Sequence, residues 1–357
     1  MREKYISFEP WWGGFSNVKI SYELICAISI ITDRIIILPP TVHCHFLNSA
    51  WNKSSYLNIW EILDEFRFKL NFNTVDYYSI HEYKSMETDK SYFSGIEKIA
   101  RVITFDGILK EGPNREIPEN IVITNEIVND SDLQKFLSGR NNFSIISEEK
   151  YIHFPRNLFG HFCYQIYGNT PHVRNLIKER IKNGIRFRDE FYNRANDAKN
   201  RIGQYNSIHI RRNDFMEVHK ESTDYQSNNL VQYLDAKISN SIPLYIATDE
   251  KDRSFFNPIS EKYKIYFIED LFDEITNKES IAIDQIMCIQ SEKFLGSMFS
   301  TFTNCINIQR GYEGKEDFSR KCVNITYPEL AYERFPWEIE KYDWTRIDKY
   351  FWSNESD

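Results

Sequence analysis

The sequence contains no apolar run approaching 18 residues, so no transmembrane helix is expected. It has no block of five or more basic residues, and its net charge is −8. Nucleic-acid binders present a basic face, so nucleic acid is not expected as a partner. A small anionic ligand remains compatible, because it needs only a local positive site. Met1 to Pro10 is polar and lacks the pattern of a signal peptide, which leads us to expect a cytoplasmic protein. The six cysteines (Cys26, Cys44, Cys163, Cys288, Cys305 and Cys322) lie far apart with no CxxC pair. Cys26, Cys288 and Cys305 fall in apolar helical patterns and read as small buried hydrophobes. The set reads as reduced thiols, with a Cys44 pairing to Cys163 or Cys322 left open. There is no Gly-x-Ser-x-Gly elbow and no Ser-His-Asp order, so hydrolase chemistry has no support. Internal repeats and low-complexity tracts are absent.

What is present is ample core material, with 41% hydrophobic residues and 15% aromatics in 357 residues. That length suits two domains, at about 150 residues each. Trp11-Trp12-Gly13-Gly14-Phe15-Ser16-Asn17 is a glycine-containing turn. Ile20, Leu24, Ala27, Ile28 and Ile31 then recur at helical spacing, which predicts a helix over Val18 to Thr32. Arg34 to Leu38 is a β-rich run stopped by Pro39-Pro40, a fully buried strand. Residues 41–150 give weaker signals, with short helices at Trp60–Leu63 and Leu133–Leu137 and strands at Ile121–Thr124 and from Ile145. Pro171 opens a helix running to about Asn200, the candidate domain crossing.

Beyond it, strands at Ser207–Arg211, Pro243–Asp249, Ile265–Ile268 and Lys293–Gly296 alternate with helices. Those helices are predicted at Asn228–Ser239, Ile281–Ser291 and from Thr303. This alternation is the pattern of a parallel, doubly wound α/β sheet. The expected domains are 1–168 and 169–330, with a helical segment at 331–357 packing back across them.

Four segments fall at strand ends or turns, where α/β proteins collect ligands. They are Gly13 to Asn17, His209 to Asp214, Ala247 to Asp249 and Ser297 to Phe302. Arg211 and Arg212 sit where an apolar strand breaks into polar sequence. Arginine stays charged and offers a planar fork that fits phosphate. The alternative for this pair is a surface ion pair with Asp214 and Glu217. Ser300 and Thr301 precede a helix, whose first-turn N–H groups suit an anion, or they are a plain N-cap. Gly13-Gly14 is likewise a ligand loop or an ordinary turn. Asp130-Ser131-Asp132 has the DxD form of a metal site but reads better as a loop or N-cap. His43-x-His45 has zinc-compatible spacing without a second ligand cluster.

Taken together these segments resemble the GDP-fucose protein O-fucosyltransferase family. The stretch His209-Ile210-Arg211-Arg212-Asn213-Asp214-Phe215 is similar to the family's arginine motif, in the branch that modifies thrombospondin repeats. Gly13 to Asn17 with Ile36 to Pro40 resembles its donor loop and strand, and Tyr245 to Asp249 its Ala-Thr-Asp strand end. Ile283-Asp284-Gln285 to Cys288, Phe294 to Ser297 and Ser300 to Phe302 resemble its carboxyl-terminal donor motif. The blocks stand in family order across about residues 12 to 312.

The resemblance implies a GT-B fold, two Rossmann-like domains facing a cleft. It also implies an inverting, metal-independent fucosyl transfer from GDP-fucose to a peptide or glycan hydroxyl, with no cofactor. Arg211 would stabilise the GDP leaving group. Gly14, Phe15, Asn17, His209, Arg212, Asp249, Ser300, Thr301 and Phe302 would bind the donor, with Asp214 and Asp284 in support. One departure stands out. The branch with the nearest arginine motif carries a glutamate base just before Gly-Phe, where this chain has Gly13; either another group, such as Glu9, takes the acceptor proton, or no side-chain base is used. Two alternatives follow: a transferase of another nucleotide-deoxysugar such as rhamnose, or an inactive nucleotide-sugar-binding module.

Overall fold

A computed structural model of the chain describes residues 3–8, 10, 13–39, 42–44, 55–76, 101–102, 151–154, 171–212, 227–297, 300–313 and 315. Those residues form two compact units, one reaching from the amino terminus to Arg186 and the other starting at Phe187. The division falls inside the segment read as the domain crossing. The expected single helix from Pro171 is two, with Ile185–Arg188 between them. Its first half ends at Gly184, where a Cβ would stand 2.5 Å from the Phe72 ring, so the first helix must present glycine there. Asp189 and Glu190 open the next helix, with Lys199 and Arg201 in its last turn, charges that suit the two ends of a helix dipole. The segments 121–124, 130–137 and 331–357 lie outside the described residues.

The first unit begins with a strand that the polar look of the amino terminus concealed: β1 at Tyr5–Phe8. Ile6 and Phe8 are fully buried. Helix α1 follows at Phe15–Thr32, three residues earlier than the apolar spacing placed it, and then β2 at Ile35–Leu38. The result is a complete βαβ unit, with β1 and β2 parallel. Helix α1 is buried on almost every face, and it carries a buried ion pair, Lys19–Glu23. Asp33 closes the helix in the left-handed region at φ 50°, and the Arg34 N–H donates to the Ser29 carbonyl.

Strands β3 (Val42–Cys44) and β4 (Ser55–Leu57) pair antiparallel, and His43 lies in β3. A short 3-10 turn at Ile59–Glu61 replaces the helix predicted at Trp60. Helix α2 (Glu65–Asn71), capped by the Asp64 carboxylate, leads to β5 (Thr74–Asp76). With β6 (Arg101–Val102) and β7 (Tyr151–Phe154), the sheet runs β5-β2-β1-β7-β6, and every pairing in it is parallel. The order reverses beside β1, so the Gly13-Gly14 turn follows a strand at the switch point, where such sheets collect ligands. Helix α3 (Pro171–Gly184) packs on α1 and α2.

The second unit contains helix α4 (Asp189–Ile202), β8 (Asn206–Ile210), α5 (Ser227–Lys237), β9 (Leu244–Thr248), β10 (Ile265–Tyr266), α6 (Asn277–Gln290), β11 (Phe294–Gly296) and α7 (Thr301–Tyr312). Strand and helix alternate as the sequence indicated, with a short helical turn replacing the end of the third strand. All three pairings are parallel in the order β10-β9-β8-β11. This is the 3-2-1-4 order of a Rossmann sheet, and it reverses between β8 and β11. Helices α4 and α6 pack together on one face. The other face holds an apolar core of Ile208, Ile210, Leu230, Leu234, Leu244, Ile246 and Ile259.

Helix α6 starts four residues before the predicted Ile281, because Thr276 and Glu279 form a capping box. Its carboxyl end is closed by a buried cation from α7. Arg310 donates through Nη1 to the carbonyls of Cys288, Ile289 and Ser291, and through Nη2 to that of Glu292. Lys315 adds bonds to Ile289 and Ser291, and burial beside Arg310 lowers its pKa to about 8. Positive charge at a helix carboxyl end opposes the negative end of the dipole. Removing the guanidinium leaves buried carbonyls unsatisfied. Arg310→Met should therefore lower the free energy of unfolding by at least about 3 kcal/mol. Urea titration of the two proteins checks this, and an unchanged midpoint would contradict the capping role.

Candidate functional site

The carboxyl ends of β8, β9 and β11 converge on the arginine motif. His209, the fourth residue of β8, is buried, and its Nδ1 shares a 2.8 Å hydrogen bond with Thr303 Oγ1 of α7. Its ring lies against Phe302, with centroids 4.5 Å apart and planes tilted by 32°. Helix α7 reaches this close because β11 ends in Gly296. A Cβ at that position would stand 2.2 Å from the Thr303 side chain, so only glycine lets the helix start here. Burial, and then the charge of Arg211, lowers the His209 pKa to about 3. The ring is neutral at neutral pH.

Past β8 the chain is held by side chains from both neighbouring strands. From β11, Ser297 donates its N–H (3.0 Å) and its hydroxyl (3.1 Å) to the His209 carbonyl. The same hydroxyl oxygen accepts the Arg211 N–H at 2.9 Å. From β9, the Thr248 hydroxyl donates to the Ile210 carbonyl at 2.8 Å. The Asp249 carboxylate accepts the Arg212 N–H at 2.8 Å and pairs with the Arg211 guanidinium at 3.4 Å.

The two arginines are held differently. Arg212 is braced on its side chain as well: Nε pairs with Glu250 at 3.3 Å, and the guanidinium lies 3.8 Å over the Phe255 ring. Arg211, one residue earlier, is half-buried, and its guanidinium pairs with Asp249.

Ser300 is the N-cap of α7, buried, with no side-chain bond to the helix backbone. Thr301 and Phe302 form the first turn, both half-buried. The first N–H groups of an α-helix have no intrahelical partner and favour an anion. His209, Arg211, Arg212, Asp249, Ser300, Thr301 and Phe302 are thus brought to one end of one sheet.

The remaining candidates lie elsewhere. Asp284 sits on α6 and accepts a hydrogen bond from Tyr245 of β9. Burial raises its pKa to about 7, with the Tyr245 bond opposing that shift. Asp214, Glu217, Glu9, His45 and Asp130 to Asp132 lie outside the described residues. In the first unit, Gly14 is the N-cap of α1 and its carbonyl accepts the Asn17 and Val18 N–H groups. The Phe15 side chain is a core residue. Asn17 is half-buried, and its carbonyl accepts the Ser21 hydroxyl.

Several residues of the site escaped sequence reasoning: Thr248, Glu250, Phe255, Gly296, Ser297 and Thr303. Thr248 and Ser297 do lie inside motifs that were singled out. Their hydroxyl partners are visible only once the strand order is known. Among the described residues, no group of three or more His, Cys, Asp or Glu is placed to hold a metal ion. No helix among them is long and apolar enough to cross a membrane.

The two buried titrating groups pull stability in opposite directions with pH. The unfolded His209 takes up a proton near its ordinary 6.5, while the folded residue waits until about 3. The unfolded chain binds the extra proton in that window, so stability falls as pH drops through it. Folded Asp284 keeps its proton up to about 7 against an ordinary 3.8, so its contribution is lost as pH rises through that range. A comparison of wild type with His209→Gln cancels the aspartate. Between about pH 7.5 and about pH 5.5, wild type should lose about 1.4 kcal/mol relative to the variant in urea unfolding. Parallel curves would show that His209 titrates normally.

Comparison with known proteins adds the following. The family model described as GDP-fucose protein O-fucosyltransferase matches residues 5–313. A GDP-fucose protein O-fucosyltransferase 2 from Plasmodium berghei (strain Anka) is 23% identical over 323 residues. That match covers 84% of this chain, which spans 62% of the relative's length. The crystal structure of POFUT1 in its apo form aligns with a TM-score of 0.53 at 11% identity, over 88% of this chain and 97% of that one. POFUT1 in complex with GDP-fucose aligns at 0.50 with 10% identity, over 87% and 94%. At such identities the likeness is one of fold, and that fold is GT-B, built from α/β units with parallel sheets.

Proposed function

The chain belongs to the GDP-fucose protein O-fucosyltransferase family, and we propose that it moves fucose from GDP-fucose to a hydroxyl of a peptide or glycan acceptor. The observation that carries this reading is the placement of Arg211. It stands at the carboxyl end of β8, at the reversal of a Rossmann sheet, its N–H bonded to Ser297, three residues before the N-cap of α7. A nucleoside diphosphate is the ligand such a place suits.

In the proposed reaction the acceptor oxygen attacks the anomeric carbon as the bond to the diphosphate oxygen breaks, inverting the configuration. The sugar passes through an oxocarbenium-like state and the electron pair leaves with GDP. Arg211 meets that growing negative charge, so no metal is needed for it. Arg212 is braced by Glu250 and Phe255 beside Arg211, where it adds charge to the donor's phosphates. Neutral His209 and Phe302 form an uncharged wall, while Ser300 and Thr301 offer the α7 start to phosphate. Asn17 and the backbone at Gly14-Phe15 supply the donor loop of the first unit. Gly13 offers no carboxylate to the acceptor proton, so either another group takes that proton or no side-chain base is used.

Incubation with GDP-fucose should release GDP, and Arg211→Ala should lower kcat by about a hundredfold or more. Excess EDTA should leave turnover unchanged. Loss of turnover in EDTA would overturn metal independence. Consumption of UDP-rhamnose in place of GDP-fucose would overturn the donor assignment.

A further inference from the structure

Four consecutive residues of β8 and its exit, His209 to Arg212, each have a backbone group bonded by a side chain from the end of an adjacent strand or the residue just past it. Ser297 takes the His209 carbonyl and the Arg211 N–H, Thr248 takes the Ile210 carbonyl, and Asp249 takes the Arg212 N–H. The regular ladder ends here: β8 pairs with β11 as far as His209↔Gly296, and with β9 as far as Ile210↔Thr248. Beyond a ladder's end, backbone groups normally turn to water and the chain frays. Here the strands on either side continue the restraint with hydroxyls.

The Ser297 hydroxyl is suited to this because it donates and accepts at once. It links the carbonyl of one residue to the N–H two residues later on β8, which fixes the torsions of Ile210 between them. Ser297 is itself buried, so water does not compete for the bonds. The Thr248 hydroxyl also accepts the Glu250 N–H at 3.0 Å, which ties the β9 exit to the same frame and holds Glu250 against Arg212.

We propose that Ser297 and Thr248 are positioning residues that aim Arg211, one hydroxyl from each neighbouring strand. Neither touches the donor; they act through the arginine. The proposal rests on the fucosyl-transfer reading above. Arg211 acts on charge that develops as the bond breaks, so loosening its frame costs rate more than donor affinity.

The test is a set of variants in the full chain assayed with GDP-fucose. Ser297→Ala and Thr248→Val each remove one hydroxyl, and Thr248→Ser keeps it. The hydroxyl-free variants should lose kcat by between about tenfold and a hundredfold, as misplacement of a reacting group does. Their GDP affinity by calorimetry should stay within about threefold, and Thr248→Ser should match wild type. The deciding measurement is a double-mutant cycle with Arg211→Ala. If the hydroxyls work through the arginine, Ser297→Ala in that background causes no further loss. A further loss of the same size in the Arg211→Ala background would overturn the proposal. So would a fall in Thr248→Ser equal to that in Thr248→Val. Wild-type protein that binds GDP without consuming GDP-fucose would overturn the activity instead, and with it the purpose of the aim.

Discussion

The hydroxyl of Ser297 is the contact on which the site depends. Without it, the His209 carbonyl would keep only the Ser297 N–H, and the Arg211 N–H would lose its partner from the β11 side. With it, the end of β8 is bonded on both sides, Arg211 N–H to Ser297 and the Ile210 carbonyl to Thr248 of β9. Ser297 also stands three residues before Ser300, the N-cap of α7.

The approach of α7 is set by the same economy. Gly296 removes the side chain that would hold Thr303 away, Thr303 takes the His209 ring, and Phe302 covers it. Burial keeps the imidazole neutral. The positive charge of the site therefore comes from guanidinium and helix end. The far end of α7 has a structural task, carrying Arg310 to the carboxyl end of α6. One helix thus both covers His209 at its start and closes α6 at its end.

Much of this was legible in the sequence, for local reasons. The apolar run before Arg211 marks a buried strand and its end. The alternation of strands and helices marks a parallel sheet, and both readings need only neighbouring residues. The boundaries missed had local signals as well: Thr276-x-x-Glu279 announces the start of α6, and Gly184 followed by Asp189-Glu190 announces the break between α3 and α4. Strand β1 was hidden because Ile6 and Phe8 alternate with polar residues in a short polar stretch. What the sequence could not carry was strand order. Ser297 and Arg211 lie 86 residues apart, and only the adjacency of β8 and β11 makes them partners. The same holds for Gly296, whose need for glycine comes from a helix packed across it. Arg310 sits in an apolar helical pattern, with nothing nearby to mark it as a cap.

The central claim is that the carboxyl end of β8 is built to hold a diphosphate, with Arg211 aimed at the oxygen that leaves. A crystal structure of the protein with GDP tests it most directly. The account predicts the β-phosphate within hydrogen-bonding distance of the Arg211 guanidinium, at the first turn of α7. The Ser297–Arg211 and Thr248–Ile210 bonds should be retained in that complex. A diphosphate bound away from Arg211, or those backbone bonds broken with GDP in place, would contradict it.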